Sequence, residues 1–190
     1  MAISNYTLTR MADMLKKQVI GAKISKIVKI SNQDFSFFLF AKAQESLIIS
    51  LDPINPYVLI SSDYFQMVSN ANSFTTSLKK YFEGGVIIDF EKLENDKIFI
   101  FTIKKMTASY QTLINKLVIN LIPRQTNALI LDMNDIIIDA KRKTSLDDLY
   151  PIYPNMHYRY SSNVNNPINE NDTLEDIKYK TIKTVYLEFE

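Results

Sequence analysis

The sequence has no cysteine and no tryptophan, and its 190 residues include only one histidine and three glycines. Without cysteine it has no disulfide, no thiolate metal ligand and no cysteine nucleophile, as suits a reducing compartment. One histidine excludes a histidine-rich metal site. The motifs of hydrolases and the glycine-rich loops that hold phosphate are also missing. We therefore predict no catalytic residue, no metal site and no cofactor, and a protein that is not an enzyme.

The chain also lacks an apolar run of the roughly 20 residues that span a membrane. Its N-terminus, MAISNYTLTR, has no apolar core of signal-peptide length. Basic and acidic residues number 22 and 21, for a net charge of +1. We expect a cytoplasmic protein without membrane contact. Because the overall field is weak, any nucleic-acid binding has to come from a local basic patch.

The stretch from residue 78 to 105, LKKYFEGGVIIDFEKLENDKIFIFTIKK, carries the clearest local signals. A helix is predicted to end here, because apolar residues recur at helical spacing: Phe74, Leu78, Tyr81 and Phe82. Gly84 and Gly85 end this helix, since glycine adopts the left-handed conformation without penalty. Two strands, 86–90 and 98–103, follow around a polar turn that contains Asp96 and Lys97.

The remaining elements are read from apolar periodicity and turn residues. Residues 8–20 are predicted to form an amphipathic helix with Thr7 or Thr9 as N-cap, and its apolar stripe is Leu8, Met11, Leu15 and Val19. Strands are expected at 23–30, 35–40, 46–51, 57–60, 113–122, 128–131 and 136–138. The chain thus combines two helices with a meander of short antiparallel strands.

After Asp139 the sequence becomes rich in proline and tyrosine. We expect this segment to wrap back over the sheet, with His157 packed among Tyr153, Tyr158 and Tyr160. Residues 163–171 are typical of a flexible link. Asp172 and Glu175 resemble a capping box that starts a helix at 173. We divide the chain into a domain at 1–160 and, at 161–190, a linker and short C-terminal helix that lead to parts of the protein not present here.

Several strings, taken in order, resemble the N-terminal (NFACT-N) domain of the RqcH/NEMF family, also known as fibronectin-binding protein A-like. They are IGAKISKI after the first helix, LIISLDPINPYVLI, LKKYFEGG at a helix end, NDKIFIFTIK at a turn entering a strand, and PRQTNALILD before a hairpin ending in IID. The resemblance covers roughly residues 8–160. It implies an α+β fold, an antiparallel β-sandwich flanked by two helices, similar to the N-terminal domain of formamidopyrimidine-DNA glycosylases. Base excision is not implied, because Ala2 and Ile3 replace the proline and glutamate that those enzymes use.

The resemblance also implies a role in ribosome-associated quality control. Family members bind large ribosomal subunits obstructed by peptidyl-tRNA, recruit tRNA and support C-terminal tailing of the stalled chain. The family contacts tRNA through an Asp-Arg pair, which corresponds here to Asp96-Lys97. Lysine keeps the charge of arginine but loses its planar fork. The acidic residue that the family often carries near its start falls on Ser4 or Asn5.

Candidate RNA-binding residues therefore lie in four places, and each has a structural alternative. Asp96 and Lys97 are also good turn formers. The other candidates are Lys79 and Lys80 at a helix end, Arg124 and Asn127 beside a turn, and the basic run Lys141, Arg142 and Lys143. For these, the alternatives are a solvated helix face favoured by the helix dipole, a turn structure, and a solvated loop partly neutralised by Asp147 and Asp148.

Our leading hypothesis is a non-enzymatic domain that binds tRNA and the large ribosomal subunit. The first alternative is a protein-interaction module whose partners dock on exposed strand edges and on the tyrosine segment. The second is a fibronectin-binding adhesin, against which the missing secretion signal argues.

Overall fold

The computed structural model describes residues 5–41, 44–63, 72–94 and 96–160. Two helices are present there, α1 (Asn5–Val19) and α2 (Ser73–Phe82). The strands are β1 (Lys23–Lys29), β2 (Asp34–Phe40), β3 (Gln44–Ser50), β4 (Tyr57–Ser61), β5 (Val86–Lys92), β6 (Ile98–Met106), β7 (Thr112–Asn120), β8 (Asn127–Leu131) and β9 (Ile137–Ala140). The α+β class and every element predicted for this part of the chain are confirmed, with boundaries shifted by up to three residues at either end.

All nine strands form one antiparallel sheet in the order β4-β3-β2-β1-β5-β6-β7-β8-β9. Two meanders, β1 to β4 and β5 to β9, meet in its middle. The junction between β1 and β5 centres on Lys23 opposite Val86. Backbone hydrogen bonds flank this pair, from the Ile24 N–H to the Gly85 carbonyl and from the Ile87 N–H to the Ala22 carbonyl. The junction arises because α2 follows β4 and carries the chain back from the edge of the sheet to β1.

The two halves of the sheet enclose one main apolar core. This cluster includes Phe37 from the first meander, Phe101 from the second, and residues of both helices. The turn after β7 also reaches across to the first meander: the Arg124 N–H donates to the Pro53 carbonyl at 2.8 Å, and the Thr126 hydroxyl donates to the Leu51 carbonyl at 2.9 Å. The single sheet therefore folds back on itself over a shared core. Complete burial of each phenylalanine side chain contributes about 1.5–3 kcal/mol.

Helix α2 has the stripe that its sequence predicts. Three members are buried, Phe74, Leu78 and Phe82, while Tyr81 packs against the core from its margin. Asn72 caps the N-terminus by accepting a hydrogen bond from the Thr75 N–H at 2.8 Å. At the other end Gly84 has φ = 86°. A Cβ on Gly85 would lie 2.8 Å from Cγ2 of Ile103, so glycine is needed there for close packing.

Helix α1 differs from its prediction at its start. It begins at Asn5, so Thr7 and Thr9 lie inside it and the predicted N-cap is wrong. Leu8, Leu15 and Val19 are buried as expected, whereas Met11 is half-buried and Ala12 takes the fourth core position.

The segment after β9 returns over the outer face of β6 to β9, as predicted. The Ile137 N–H donates to the Met156 carbonyl at 2.8 Å, and Tyr158 is buried in a second apolar cluster with Leu129 and Ile98. His157, however, is exposed. Its predicted packing is wrong, because residues 157 and 158 alternate between the outer and inner sides and only Tyr158 points inward. The linker and helix predicted for 161–190 lie outside the described residues.

Candidate nucleic-acid interface

The ends of four neighbouring strands lie side by side at one end of the second meander: the start of β6, the end of β7, the start of β8 and the end of β9. Ile98 pairs with Asn120 between β6 and β7, and Asn120 pairs with Asn127 between β7 and β8. The Asn127 side chain then holds Arg142, just beyond β9. Because neighbouring strands lie about 4.8 Å apart, the backbones of residues 98 and 142 are separated by about 15 Å.

This arrangement brings together most of the predicted RNA-binding residues. The Leu121 N–H donates to the Lys97 carbonyl at 2.8 Å, so the Asp96-Lys97 turn borders the turn that carries Arg124. One Arg142 guanidinium nitrogen lies 3.4 Å from the carbonyls of Arg124 and of Thr126. We call this region the basic edge, and its cations are Lys29, Lys97, Arg124, Lys141, Arg142 and Lys143.

Lys29 is the member of the basic edge that the sequence did not reveal. It ends β1, it is buried, and its Nζ donates to Asn32 Oδ1 at 3.0 Å. Burial lowers the pKa of Lys141, and the nearby charges of Lys29 and Arg142 lower it further. Lys29 and Arg142 are therefore both close enough to repel the charge of Lys141, a repulsion that a bound anion would relieve. A lysine within a strand gives no sequence signal of such a role.

Asp139 links the basic edge to α2. Its carboxylate accepts hydrogen bonds from the Ser77 hydroxyl at 2.6 Å and from Lys143 Nζ at 2.9 Å. Burial raises the pKa of Asp139, but hydrogen bonds from Ser77, Lys143 and the Ala140 N–H outweigh it and hold the pKa below its usual value. Lys143 is thus partly neutralised, which leaves the other cations as the stronger anion ligands.

The two residues of the Asp96-Lys97 pair differ in exposure: Asp96 has a structural role in the turn, and Lys97 is accessible. Asp96 is buried, and its Oδ1 accepts a hydrogen bond from the Lys97 N–H at 2.8 Å. Burial lowers the pKa of Lys92, while the charges of Asp96 and Glu94 raise it, so Asp96 also faces a cation of its own hairpin. Lys97 is half-buried and is the member that can reach a ligand.

Lys79 and Lys80 do not join the basic edge. Lys105 Nζ donates to the Lys80 carbonyl at 2.6 Å and lies 3.4 Å from the Lys79 carbonyl, which caps the end of α2. Lys105 lies eight residues beyond Lys97 at the far end of β6, about 26 Å away along the strand. The α2 lysines therefore form a separate surface, where Lys80 Nζ also sits 5.2 Å from the centre of the Tyr81 ring.

A cavity of about 310 Å³ opens at the basic edge. Arg124, Arg142 and Lys143 contribute its cations, and Leu129, Ile152 and Tyr158 contribute apolar walls. A larger groove of about 540 Å³ lies between α1 and β5, where Asp13, Glu91 and Glu94 accompany Lys16 and Lys92. Because acidic residues line this groove, it suits a phosphate group less well than the cavity at the basic edge does. Across the described ranges there is no cluster of residues that could hold a metal ion, and no helix long and apolar enough to cross a membrane.

The model of one protein family, "NFACT N-terminal and middle domains", matches residues 4–186. The chain belongs to the NFACT family. The NFACT chain is 27% identical over 153 residues to the Rqc2 homolog RqcH of Bacillus subtilis, an alignment that covers 78% of this chain and 27% of that protein. It is 22% identical over 133 residues to the Rqc2 homolog RqcH of Streptococcus pneumoniae serotype 2, covering 70% and 24%. The chain thus spans about a quarter of the length of the curated relatives it matches.

Solved structures show the same fold. The N-terminal domain of the fibronectin-binding protein PavA from Streptococcus pneumoniae superposes with a TM-score of 0.76 at 20% identity, covering 94% of the NFACT chain and 68% of that structure. The N-terminal part of the fibronectin/fibrinogen-binding protein of Streptococcus suis gives a TM-score of 0.76 at 21% identity, covering 90% and 65%. The family resemblance inferred from the sequence is confirmed. No catalytic family is indicated by these relatives.

Proposed function

We propose that this NFACT chain is a non-enzymatic, cytoplasmic RNA-binding domain of a ribosome-associated quality-control factor. Its partners are tRNA and obstructed large ribosomal subunits, and the whole factor supports C-terminal tailing of stalled nascent chains. The single observation that carries this proposal is the basic edge, where strand ends distant in sequence gather six cations. The relationship to RqcH proteins supplies the ribosomal context.

The side chains of the basic edge suit the phosphates of a nucleic-acid backbone. Arg124 is exposed, and Lys97 is half-buried. Arginine binds phosphate through a planar, bidentate fork, whereas lysine acts as a point charge. Arg124 and Arg142 can therefore provide the fork that Lys97, in place of the family's arginine, does not.

Co-sedimentation with purified large ribosomal subunits, combined with tRNA affinity measurements, tests this proposal. The test variant is Lys97→Gln with Arg124→Gln, which removes two charges from the basic edge. The matched control is Lys79→Gln with Lys80→Gln, which removes two charges from the separate α2 surface. We expect the first pair to weaken tRNA binding at least tenfold and the second to change it less than twofold. Equal effects of the two pairs, or no binding by the parent chain within its full-length protein, would reject the proposal.

A protein-binding role is the second candidate, and one region of the surface favours it. Among the described residues, no strand pairs with the outer edge of β4, where Tyr57 is 36% and Leu59 37% exposed, and Phe40 on β2 is 60% exposed. The structural neighbours are named for binding fibronectin. Capture of purified fibronectin that survives nuclease treatment and is lost in Leu59→Lys would support this function. Capture that nuclease abolishes would reject it.

We also propose a more distant similarity of the fold. The single folded-back sheet with two helices supports the expected similarity to the N-terminal domain of formamidopyrimidine-DNA glycosylases. Superposition of β1 to β9 on such a domain tests it, and a different strand order would contradict it.

A further inference from the structure

The cavity at the basic edge differs from an open phosphate-binding surface in having two chemically distinct sides. Arg124, Arg142 and Lys143 line one part, and Leu129, Ile152 and Tyr158 line another. A backbone phosphate needs only the cations. Apolar and aromatic walls become useful when a ligand also presents a flat, weakly polar ring.

The cationic side is held in place by the surrounding backbone. Asn127 fixes the Arg142 backbone through two hydrogen bonds of 2.8 and 2.9 Å. Arg124 has φ = 65°, a left-handed conformation that is unusual for arginine, and its N–H is tied to the Pro53 carbonyl. Strained residues of this kind persist where the surrounding structure holds them, and they concentrate at ligand sites.

The apolar side is supplied by the segment that returns over the sheet. Thr144 and Ile152 exchange hydrogen bonds across its loop, Thr144 N–H to the Ile152 carbonyl at 3.1 Å and Ile152 N–H to the Thr144 hydroxyl at 2.8 Å. Tyr158 is buried and packs edge-to-face on Tyr160 with ring centres 4.9 Å apart. The wall is thus built from positions fixed by hydrogen bonds and ring packing.

We propose that this cavity binds one nucleotide unit, with the phosphate against Arg124 and Arg142 and the base against Ile152 and Tyr158. The unit is either a free 5′-mononucleotide or an unstacked nucleotide of an RNA strand. A volume of about 310 Å³ lies at the low end of ligand pockets, roughly 300–1,000 Å³, and suits a single nucleotide better than a duplex. If the bound nucleotide belongs to an RNA strand, the site rests on the proposed function, because the RNA must then bind the basic edge.

The test is titration of the protein with AMP, followed by NMR of its isoleucine and leucine methyl groups. We expect shifts at Ile152 and Leu129, and affinities for adenosine and for inorganic phosphate at least tenfold weaker than for AMP. Arg124→Gln should weaken AMP binding about tenfold, and Ile152→Trp, which fills the cavity, should abolish it with little change in Tm. The control Lys79→Gln with Lys80→Gln should bind AMP as the parent does. AMP binding that leaves these methyl groups unshifted, that survives Ile152→Trp, or that is matched by phosphate alone would overturn the proposal.

Competition with a short single-stranded RNA separates the two sources of the nucleotide. Displacement of AMP by the RNA assigns the site to an unstacked RNA nucleotide, and RNA binding without displacement assigns it to a free mononucleotide. The outcome also separates the two proposals. AMP binding without tRNA binding would overturn the proposed function alone, whereas tRNA binding without AMP binding would overturn the nucleotide site alone.

Discussion

Asn127 and Arg142, fifteen positions apart, are joined by a pair of reciprocal hydrogen bonds. The Asn127 amide donates to the Arg142 carbonyl at 2.8 Å, and the Arg142 N–H donates to the Asn127 side-chain oxygen at 2.9 Å. The same oxygen accepts from the Ala128 N–H. These hydrogen bonds continue the pairing of β8 with β9 by one more position, through the Asn127 side chain. They fix the backbone of the basic run at residues 141–143. Asn127 therefore has the structural role that its position beside a turn allows, and it holds the backbone of Arg142 at the wall of the cavity.

Replacing Asn127 by alanine should destabilise the protein by about 2–3 kcal/mol, because it leaves buried backbone groups without partners. Urea denaturation measures this loss. The matched control is Asn134→Ala, which makes the same change at an exposed position of the neighbouring hairpin and should stay within about 0.5 kcal/mol. Equal free energies of unfolding for the two variants would contradict the structural role of Asn127.

The two glycines that end α2 should respond differently to substitution. A Cβ on Gly85 would meet Ile103 Cγ2 at 2.8 Å and the Phe82 carbonyl at 3.0 Å, so we expect Gly85→Ala to cost about 1–3 kcal/mol through overpacking. Gly84 has φ = 86° but open space, and Gly84→Asn should cost less because asparagine tolerates left-handed backbone. Thermal denaturation of the two variants makes the comparison, and a lower Tm for Gly84→Asn would contradict the close packing around residue 85.

Asp139 should contribute stability that depends on pH. Its pKa is lowered in the folded state, so its contribution is present above the unfolded value of about 3.9 and is lost as the pH falls through the folded value. Asp139→Asn should therefore lower the free energy of unfolding by about 2 kcal/mol at pH 7. Urea titrations from pH 7 to pH 2 should show the gap between parent and variant closing only below about pH 4. A gap that stays constant with pH would contradict a stabilising role for the charged form of the Asp139 carboxylate.

The end of the described chain is held by a polar contact on the outer face. Tyr160 donates to Asp135 Oδ1 at 2.8 Å, and Lys116 Nζ contacts the same oxygen at 2.8 Å. Tyr160→Phe should cost about 1–2 kcal/mol, whereas Tyr110→Phe, at a residue that is 86% exposed, should cost almost nothing.

The same contact predicts a response at high pH. Burial and then the hydrogen bond to Asp135 raise the pKa of Tyr160 above its ordinary value of 10. A raised folded pKa gives stability that is complete below about pH 10 and is lost as the pH rises further. The parent should thus lose more stability than Tyr160→Phe above pH 10. Parallel decline of both proteins would exclude this linkage.

Local sequence signals predicted the elements well, because apolar periodicity and turn residues report directly on burial. Phe74, Leu78 and Phe82 mark the buried face of α2, and Gly84 and Gly85 mark its end. The predicted cap of α1 failed because Thr7 and Thr9 are acceptable caps that lie inside a helix starting earlier. Choosing among several acceptable caps needs the tertiary contacts that set where a helix begins.

The candidate site was only partly predictable, because its members meet through the sheet order. The basic run at 141–143 is visible in the sequence, and so is Arg124. Nothing local shows that Lys29 approaches Lys141, because the two residues lie on β1 and just beyond β9, which both pack against α2. The positions of Lys79 and Lys80 in the sequence also do not show that they lie on a different surface. They lie beside Lys105, and the length of β6 separates Lys105 from Lys97.

The central claim, that the basic edge binds RNA phosphates, is tested most directly by the salt dependence of tRNA binding. Affinities of the parent, of Lys97→Gln with Arg124→Gln, and of Lys79→Gln with Lys80→Gln are measured across a salt series. Each phosphate contact adds about 0.7–0.9 to the slope of log affinity against log salt. We predict a slope shallower by about 1.5 for the basic-edge variant and unchanged for the control. Identical slopes for all three proteins would contradict the claim.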